Sequence, residues 1–431
     1  MDVLFTNARL IDPEAGTESK GSLRISGGKI AEVLTDSAPD ASGAQVIDAG
    51  GMCVAPGLVD IGVKICEPGE RHKESFRSAG LAAAAGGVTT IVTRPDTLPT
   101  IDTPEALEFQ TRRAAEAAPV HVAPMAALTK GREGKEMVEI GFLKDAGAVA
   151  FTDCDRVVEN TKVFSRALTY AKSLDALVMA HVQEPGLSHG AAATSGPRAS
   201  RMGLPGVSAM AERMGLDRDI ALIEMTGAAY HADQITTRRA LPALERAKAN
   251  GLNVTAGVSI HHLTLTEAAI EEYRTFFKVK PPLRAEEDRA ATVAAVASGL
   301  IDVVSSMHTP QDEESKRLPF EEAASGAVGL ETLLPAMMGL VAAGELTLPQ
   351  VFRAAALAPA QRLGLPGGKL SVGAPGDVIL FDPDAAFTLD RTTLLSKSKN
   401  TPFDGAEMRG RVAGTWVEGH RVWGGDADAT H

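Results

Sequence analysis

Two side chains of types that could bind a metal ion come directly after apolar runs of strand length in this 431-residue chain. Asp153 follows the apolar run VAFT, and His181 follows ALVMA. Carboxylates and imidazoles are common ligands of divalent cations, but a structural zinc site takes about four ligands and a catalytic one about three. Two ligands are too few for a complete centre, so the favoured interpretation of His181 is a buried histidine that hydrogen-bonds to its neighbours.

Lys64 and Cys66 are close together in the stretch VKICEPG. A buried lysine can act as a base when burial lowers its pKa, and a cysteine can act as a nucleophile when a nearby base activates it. Cys66 has no obvious base nearby, which predicts an inert thiol. For Lys64 we favour a salt bridge with Asp96 or Asp153 over a catalytic role.

Apolar runs of strand length alternate with helix-length amphipathic segments through the middle of the chain. Thr89–Thr93 and Val254–Val258 are typical strands, and Pro104–Ala118 and Arg238–Asn250 are typical helices. Both ends of the chain are rich in strands instead. This α/β alternation over roughly 300 residues predicts a closed (β/α)₈ TIM-type barrel, with an open doubly wound sheet as the alternative. Residues 186–206 predict a long loop beside the site.

The composition excludes several classes of partner. A net charge of −12 and a pI near 5.4 argue against nucleic acid or an anionic membrane as partners, because both would repel such a surface. The three cysteines form no CxxC pair, which is typical of a reducing compartment. No secretory signal and no apolar run of ~18 residues is apparent, so we predict a cytoplasmic protein.

Seven blocks of the sequence resemble motifs of the dihydroorotase family, in the cyclic amidohydrolase branch of the amidohydrolase superfamily. They occur in the family's order, at compatible spacings and along most of the chain. The blocks are VAPGLVDIGVKICEPG (54–69), GGVTTIVTRPDTLP (86–99), SIHHLTLTE (259–267), KVKPPLRAEEDR (278–289), DVVSSMHTPQ (302–311), FEEAASGAVGLETLLP (320–335) and NTPFDG (400–405).

The resemblance implies a (β/α)₈ barrel over residues 57–364 and a small composite β-sandwich formed by residues 1–56 and 365–431. It also implies that active family members hold a binuclear zinc centre, whose metals lower the pKa of a bridging water that attacks the ring amide. The pair His261 and His262 matches a family motif in which it is mostly architectural.

Four metal-ligand positions of the family match residues that cannot act as metal ligands in this chain. The family's His-x-His pair matches Gly62 and Lys64, its third histidine matches Gln234, and the aspartate that binds metal and moves the proton matches Met307. Glycine offers no ligand, and an ammonium group repels a cation. An amide is a poor zinc ligand, and a thioether cannot transfer a proton.

Asp153 and His181 match retained ligand positions and are the residual metal candidates. The family's substrate-binding arginine matches Cys66, and its two asparagines match Asp96 and Lys280. An acidic residue at 96 predicts repulsion of a carboxylate substrate, so dihydroorotate and carbamoyl aspartate are not expected to bind in the usual pose. We therefore expect a vestigial pocket with no catalytic residue and no cofactor, with weak or partial zinc binding at most.

These replacements predict a dihydroorotase-like protein of pyrimidine biosynthesis that is inactive as a dihydroorotase. In some bacteria an inactive dihydroorotase-like chain assembles with aspartate carbamoyltransferase, so the resemblance implies that enzyme, a second copy of this chain, or both as partners. The alternative is a divergent amidohydrolase that cleaves a cyclic amide or related C–N bond through a metal-poor site built on Asp153, His181 and Lys64. Dihydroorotase activity through an unusual site is the least favoured interpretation.

Overall fold

The computed structural model describes residues 2–35 and 39–425, and strands occur from one end of this range to the other. The strands are β1 (Asp2–Asp12), β2 (Thr17–Ser26), β3 (Lys29–Leu34), β4 (Ala44–Asp48), β5 (Cys53–Pro56), β6 (Leu58–Val63), β7 (Val88–Thr93), β8 (His121–Pro124), β9 (Phe151–Thr152), β10 (Val178–Ala180), β11 (Ala193–Thr194), β12 (Gly206–Val207), β13 (Tyr230–Ala232), β14 (Val254–Ser259), β15 (Val303–Ser305), β16 (Val378–Thr388), β17 (Glu407–Val417) and β18 (His420–Trp423).

Helices separate the strands of the central region, and local capping sets where several begin. Ser75 forms a capping box at the start of the first helix, and Thr103 caps the second, whose first residue is Pro104. Within the described residues, no helix combines the length and apolar character that a membrane span requires. The helices are α1 (Phe76–Ala85), α2 (Pro104–Ala117), α3 (Ile140–Asp145), α4 (Thr161–Ser173), α5 (Pro185–Ser188), α6 (Pro197–Met202), α7 (Ala209–Thr226), α8 (Leu241–Ala249), α9 (Ile260–Thr264), α10 (Glu286–Ser298), α11 (Glu313–Lys316), α12 (Leu333–Ala342), α13 (Leu348–Phe352) and α14 (Ala358–Leu363).

Eight parallel strands form the predicted barrel. Strands β6, β7 and β8 pair in that order, and so do β9, β10, β13, β14 and β15. A parallel bridge between Ala126 and Phe151 joins the two groups on one side. On the other side, the Ser306 N–H donates to Asp60 Oδ1 at 2.9 Å, and the Lys64 N–H donates to the His308 carbonyl at 2.9 Å. The first and last strands are therefore joined, which confirms the (β/α)₈ expectation.

Strands from both ends of the chain form one sheet beside the barrel. Its order is β18-β17-β16-β5-β1-β2-β3, and β4 pairs with β1. The rings of Phe5 and Trp416 meet edge to face at 4.8 Å in its core, which ties the two ends of the chain together. This is the composite β-sandwich of the fold. The exact domain boundaries stay a prediction, and residues 1, 36–38 and 426–431 of the predicted sandwich lie outside the described residues.

The segment 186–206 differs from the long loop that its composition predicted. It holds the end of α5, strand β11, helix α6 and the start of β12. Thr194 Oγ1 donates to the Leu283 carbonyl at 2.9 Å, and Ala193 and Ala199 are buried beside Phe320. Small residues suit close packing as well as turns, so composition alone could not distinguish the two. None of this segment lines the described wall of the cavity at the barrel mouth.

Candidate functional site

A cavity of about 210 Å³ lies where the carboxyl ends of the barrel strands meet. Its wall includes side chains that follow β6, β7, β13, β14 and β15, because parallel strands bring their carboxyl ends to one face of a barrel. Five of the nine predicted pocket residues line it. These five are Lys64, Asp96, Gln234, Lys280 and Met307.

The other four predicted pocket residues are not part of the described cavity wall. Asp153 is buried, and one of its oxygens accepts from the N–H groups of Leu128 and Thr129 at 3.1 and 3.0 Å. Its second oxygen accepts from Thr129 Oγ1. Through these hydrogen bonds Asp153 connects the end of β9 to the segment after β8. Burial raises the pKa of this carboxyl above its ordinary value despite these bonds.

His181 and Cys66 are both held in their neutral forms. Burial, helped by the nearby positive charge of Lys280, lowers the pKa of His181 to about 3. Burial raises the pKa of the Cys66 thiol to about 12, although Lys64 opposes that shift. A thiol with such a pKa is a poor nucleophile at neutral pH, which agrees with the inert cysteine that the sequence predicted.

Gly62, the fourth of these residues, packs against Met307. Gly62 has φ of +122°, a conformation that other residues rarely adopt, and a Cβ built on it would lie 2.6 Å from Met307 Sδ. Met307 thus fills the space that a side chain at position 62 would need. The two residues that the resemblance predicts at ligand positions of the family therefore depend on each other for their packing.

Gly62→Ala is expected to lower the free energy of unfolding by about 1–3 kcal/mol, chiefly because alanine rarely adopts φ of +122°, and to a smaller extent because the flexible Met307 side chain must shift to admit the methyl group. Urea denaturation of the full chain measures this change. Gly339→Ala is the matched control, since Gly339 lies within α12 and no atom lies within 4 Å of the place its Cβ would take, so this variant should be neutral or stabilising. Equal stability of the Gly62→Ala variant and the wild type would contradict the prediction.

Asp96 is surrounded by positive charge. Arg94 binds it with two contacts, Nε to Oδ1 at 3.2 Å and Nη2 to Oδ2 at 3.0 Å, and Lys64 Nζ lies 3.3 Å from Oδ2. Burial alone would raise the pKa of Asp96, but Arg94 and Lys64 outweigh it and hold the pKa below its ordinary value. The repulsion of carboxylates expected from Asp96 is therefore compensated, since its charge is already paired.

A second pair extends this ionic network across the cavity. Lys280 Nζ lies 3.3 Å from Asp155 Oδ2, while Arg132 Nη1 lies 3.7 Å from Asp155 and 3.8 Å from Asp96. Burial alone would raise the pKa of Asp155, but Lys280 and Arg94 hold it well below its usual range. Positively and negatively charged side chains therefore alternate across the mouth of the barrel.

Sequence reasoning missed Arg94, Arg132 and Asp155 as parts of the site. A signal existed for two of them, because RPDT replaces the family's MPNT and FTDCD replaces its FSDDG. The first block has Arg94 and Asp96 where the family motif is uncharged, and the second has Asp155 where the family motif has glycine. Opposite charges therefore appear in two blocks that both line the cavity. Arg132 belongs to a short 3-10 turn after β8, and no quoted motif includes it.

The fold and the cavity define the class of an amidohydrolase-type barrel with a composite sandwich. A family model described as Dihydro-orotase-like matches residues 51–240. The chain is 38% identical over 419 residues to a dihydroorotase of Syntrophotalea carbinolica, covering 97% of this chain and 98% of that protein. It is 39% identical over 421 residues to a dihydroorotase-like protein of Pseudomonas putida, covering 97% of this chain and 99% of that protein.

A solved structure agrees with these sequence comparisons. The L-hydantoinase (dihydropyrimidinase) from Arthrobacter aurescens superposes with a TM-score of 0.89 at 25% identity, covering 98% of this chain and 96% of its own. The chain belongs to the dihydroorotase-like family of pyrimidine-related amidohydrolases.

The comparisons correct one expectation. The sequence led us to expect no cofactor, with weak or partial zinc binding at most, but the family of dihydroorotases and hydantoinases points to metal binding, so that expectation is wrong. Within residues 2–35 and 39–425, no group of three or more His, Cys, Asp and Glu is placed to hold a metal ion.

Proposed function

We propose that this chain is a non-catalytic member of the dihydroorotase-like family that acts in the cytoplasm as an assembly partner of aspartate carbamoyltransferase. The observation that carries the proposal is the contact between Gly62 and Met307. A thioether stands where the family's proton-transferring aspartate stands, and it occupies the space of a family metal ligand. This contact between the first barrel strand and the residue that follows the last one supports the loss of both a metal ligand and the proton-transferring group.

The remaining side chains support the same conclusion. Asp153 is fully engaged by its neighbours, and Lys64 is paired with Asp96 at 3.3 Å. Neither is free to act as a general base. The family's retained scaffold motifs, together with ion pairs in the cavity wall, support a role that uses the outside of the protein. The partner itself is inferred from the resemblance to inactive dihydroorotase-like chains of carbamoyltransferase complexes.

One contact favours the alternative of a divergent amidohydrolase. Ser259 and His262 line the cavity, and Ser259 Oγ lies 2.9 Å from His262 Nδ1. The other ring nitrogen lies 3.0 Å from the Pro281 carbonyl. A serine beside an imidazole is the start of a nucleophilic pair. Burial, with the nearby charge of Arg284, lowers the pKa of His262 to about 3, however, which makes the imidazole a weak base.

The test combines an activity assay with co-purification. The purified chain, supplied with zinc because its family points to metal binding, is assayed for dihydroorotase activity in both directions. The chain is then co-expressed with the aspartate carbamoyltransferase of the same organism. We expect no turnover above the uncatalysed rate, a stoichiometric complex, and lower carbamoyltransferase activity when the chain is omitted.

Dihydroorotase turnover in either direction would contradict the non-catalytic role. Separate elution of the two proteins, together with full carbamoyltransferase activity without the chain, would contradict the partnership. Labelling of Ser259 by a fluorophosphonate, with loss of labelling in Ser259→Ala, would instead support the divergent amidohydrolase.

A further inference from the structure

The wall of the barrel-mouth cavity carries more positive than negative charge. Two carboxylates line it, Asp96 and Asp155, against five cationic side chains. A cleft lined by one sign of charge attracts ligands of the other sign, and low-dielectric walls strengthen that attraction. The five cations are Lys64, Arg94, Arg132, Arg156 and Lys280.

Buried polar atoms of the cavity wall are left without hydrogen-bond partners in the described part of the chain. The Arg132 side chain is only 10% exposed, yet its Nη1 lies beyond hydrogen-bond distance of both nearby carboxylates. Oε1 of the buried Gln234 also has no partner. Buried polar groups are almost always satisfied in folded proteins, so these atoms call for a ligand. The guanidinium offers a donor and the amide oxygen offers an acceptor.

We propose that this cavity binds a small oxyanion of charge about −2 that also carries a hydrogen-bond donor. Hydrogen phosphate and a hydroxydicarboxylate such as malate share this chemistry. The anionic oxygens face Arg132, Lys64 and Lys280, and the hydroxyl donates to Gln234 Oε1. This inference goes beyond the proposed function, because an assembly partner needs no ligand at its barrel mouth. The contacts also differ from those of the family, whose substrate-binding arginine is replaced by Cys66.

Isothermal titration of the full chain, dialysed free of phosphate at about pH 7.5, tests the proposal. The probes are sodium phosphate, malate and succinate, each compared with sodium chloride at equal ionic strength. We expect saturable one-site binding of phosphate or malate, and the tighter of the two identifies the source of the oxyanion. Succinate should bind more weakly than malate, because it has no hydroxyl to donate to Gln234.

Variants separate this site from general attraction to a charged surface. Lys280→Met should weaken binding about tenfold, and the fold should tolerate it because this side chain is half exposed. Arg132→Met should weaken binding by at least as much. Lys135→Met, at an exposed lysine outside the cavity, should leave the affinity unchanged.

Three results would overturn the proposal. They are the absence of saturable heat with all three anions, unchanged affinity in Lys280→Met, and equal loss of affinity in Lys135→Met. Equal affinities for malate and succinate would overturn the role assigned to Gln234.

Discussion

Asp96→Asn is expected to lower the free energy of unfolding by about 2–4 kcal/mol, even though asparagine is the residue of the family motif at this position. The amide removes the negative charge that Arg94 binds through two contacts and that Lys64 approaches at 3.3 Å. Removing one partner of a buried ion pair leaves an uncompensated charge, which costs more than the pair contributed. Urea denaturation at neutral pH measures the change.

A double-mutant cycle attributes this loss to the pair. Arg94→Met combined with Asp96→Asn restores both family residues of the MPNT motif, and we expect it to recover about 2 kcal/mol relative to the sum of the single variants. Asp217→Asn is the control, since Asp217 forms half-exposed surface pairs with Arg213 and Arg246 at 3.3 Å and should change stability by less than about 0.5 kcal/mol. Strict additivity of the two cavity substitutions would contradict the coupling.

Ionisation of Asp96 is also expected to make the stability of the fold depend on pH. Burial opposes ionisation of Asp96, but Arg94 and Lys64 hold its folded-state pKa below the unfolded value of 3.8. Its contribution to stability is therefore present above pH 3.8 and is lost as the pH falls through the folded-state pKa. The acid limb of the stability profile should be shallower in Asp96→Asn than in the wild type.

Glu212→Ala is expected to destabilise the fold by about 3–5 kcal/mol. Glu212 is fully buried on α7 and accepts from the N–H groups of Thr236 and Thr237 at 2.9 and 2.8 Å, and from both threonine hydroxyls. Arg284, also buried, lies 3.5 Å away and donates to the Thr236 hydroxyl. Alanine would leave several buried donors and one buried cation without this acceptor.

Burial raises the pKa of Glu212 and lowers that of Arg284, so desolvation works against both charges. The large destabilisation expected for Glu212→Ala therefore comes from the buried donors and the buried Arg284 that lose their acceptor. It does not measure how much the ion pair contributes to the free energy of unfolding. Glu287→Ala is the control, because Glu287 pairs with Arg238 on the surface at 2.6 Å and should cost less than about 1 kcal/mol. Similar unfolding midpoints for both alanine variants would contradict the prediction.

Much of the fold could be predicted because its signals are local. Turn residues, caps and apolar runs act over a few positions, so segments such as Pro104–Ala118 and Val254–Val258 closely match α2 and β14. The prediction failed for residues 186–206, where small side chains pack against distant Leu283 and Phe320. Composition shows that the side chains of this segment are small, but it does not show which distant residues they pack against.

The candidate site was predictable only in part. The family motifs identified Lys64, Asp96, Gln234, Lys280 and Met307. All of these except Lys280 come directly after the carboxyl end of a barrel strand or within a few residues of it, whereas Lys280 lies on the long segment between β14 and β15. They also suggested Asp153 and His181, but both side chains are buried, and Asp153 is held by hydrogen bonds from Leu128 and Thr129, which no local sequence pattern encodes. A residue's place in a motif gives its position along a strand, but neighbouring elements decide whether its side chain reaches the cavity.

The sequence by itself determined the family and the alternation that builds the barrel, because these depend on residue types and their order. It also predicts that the family's ligand residues are replaced. Only the tertiary structure decided which charges pair and which stay free. Closure of the barrel places Met307 of its last strand region against Gly62 of its first, and it gathers Arg94, Arg132 and Asp155 around one cavity. Such contacts depend on distances of a few ångströms between remote segments, and the order of residues along the chain does not specify them.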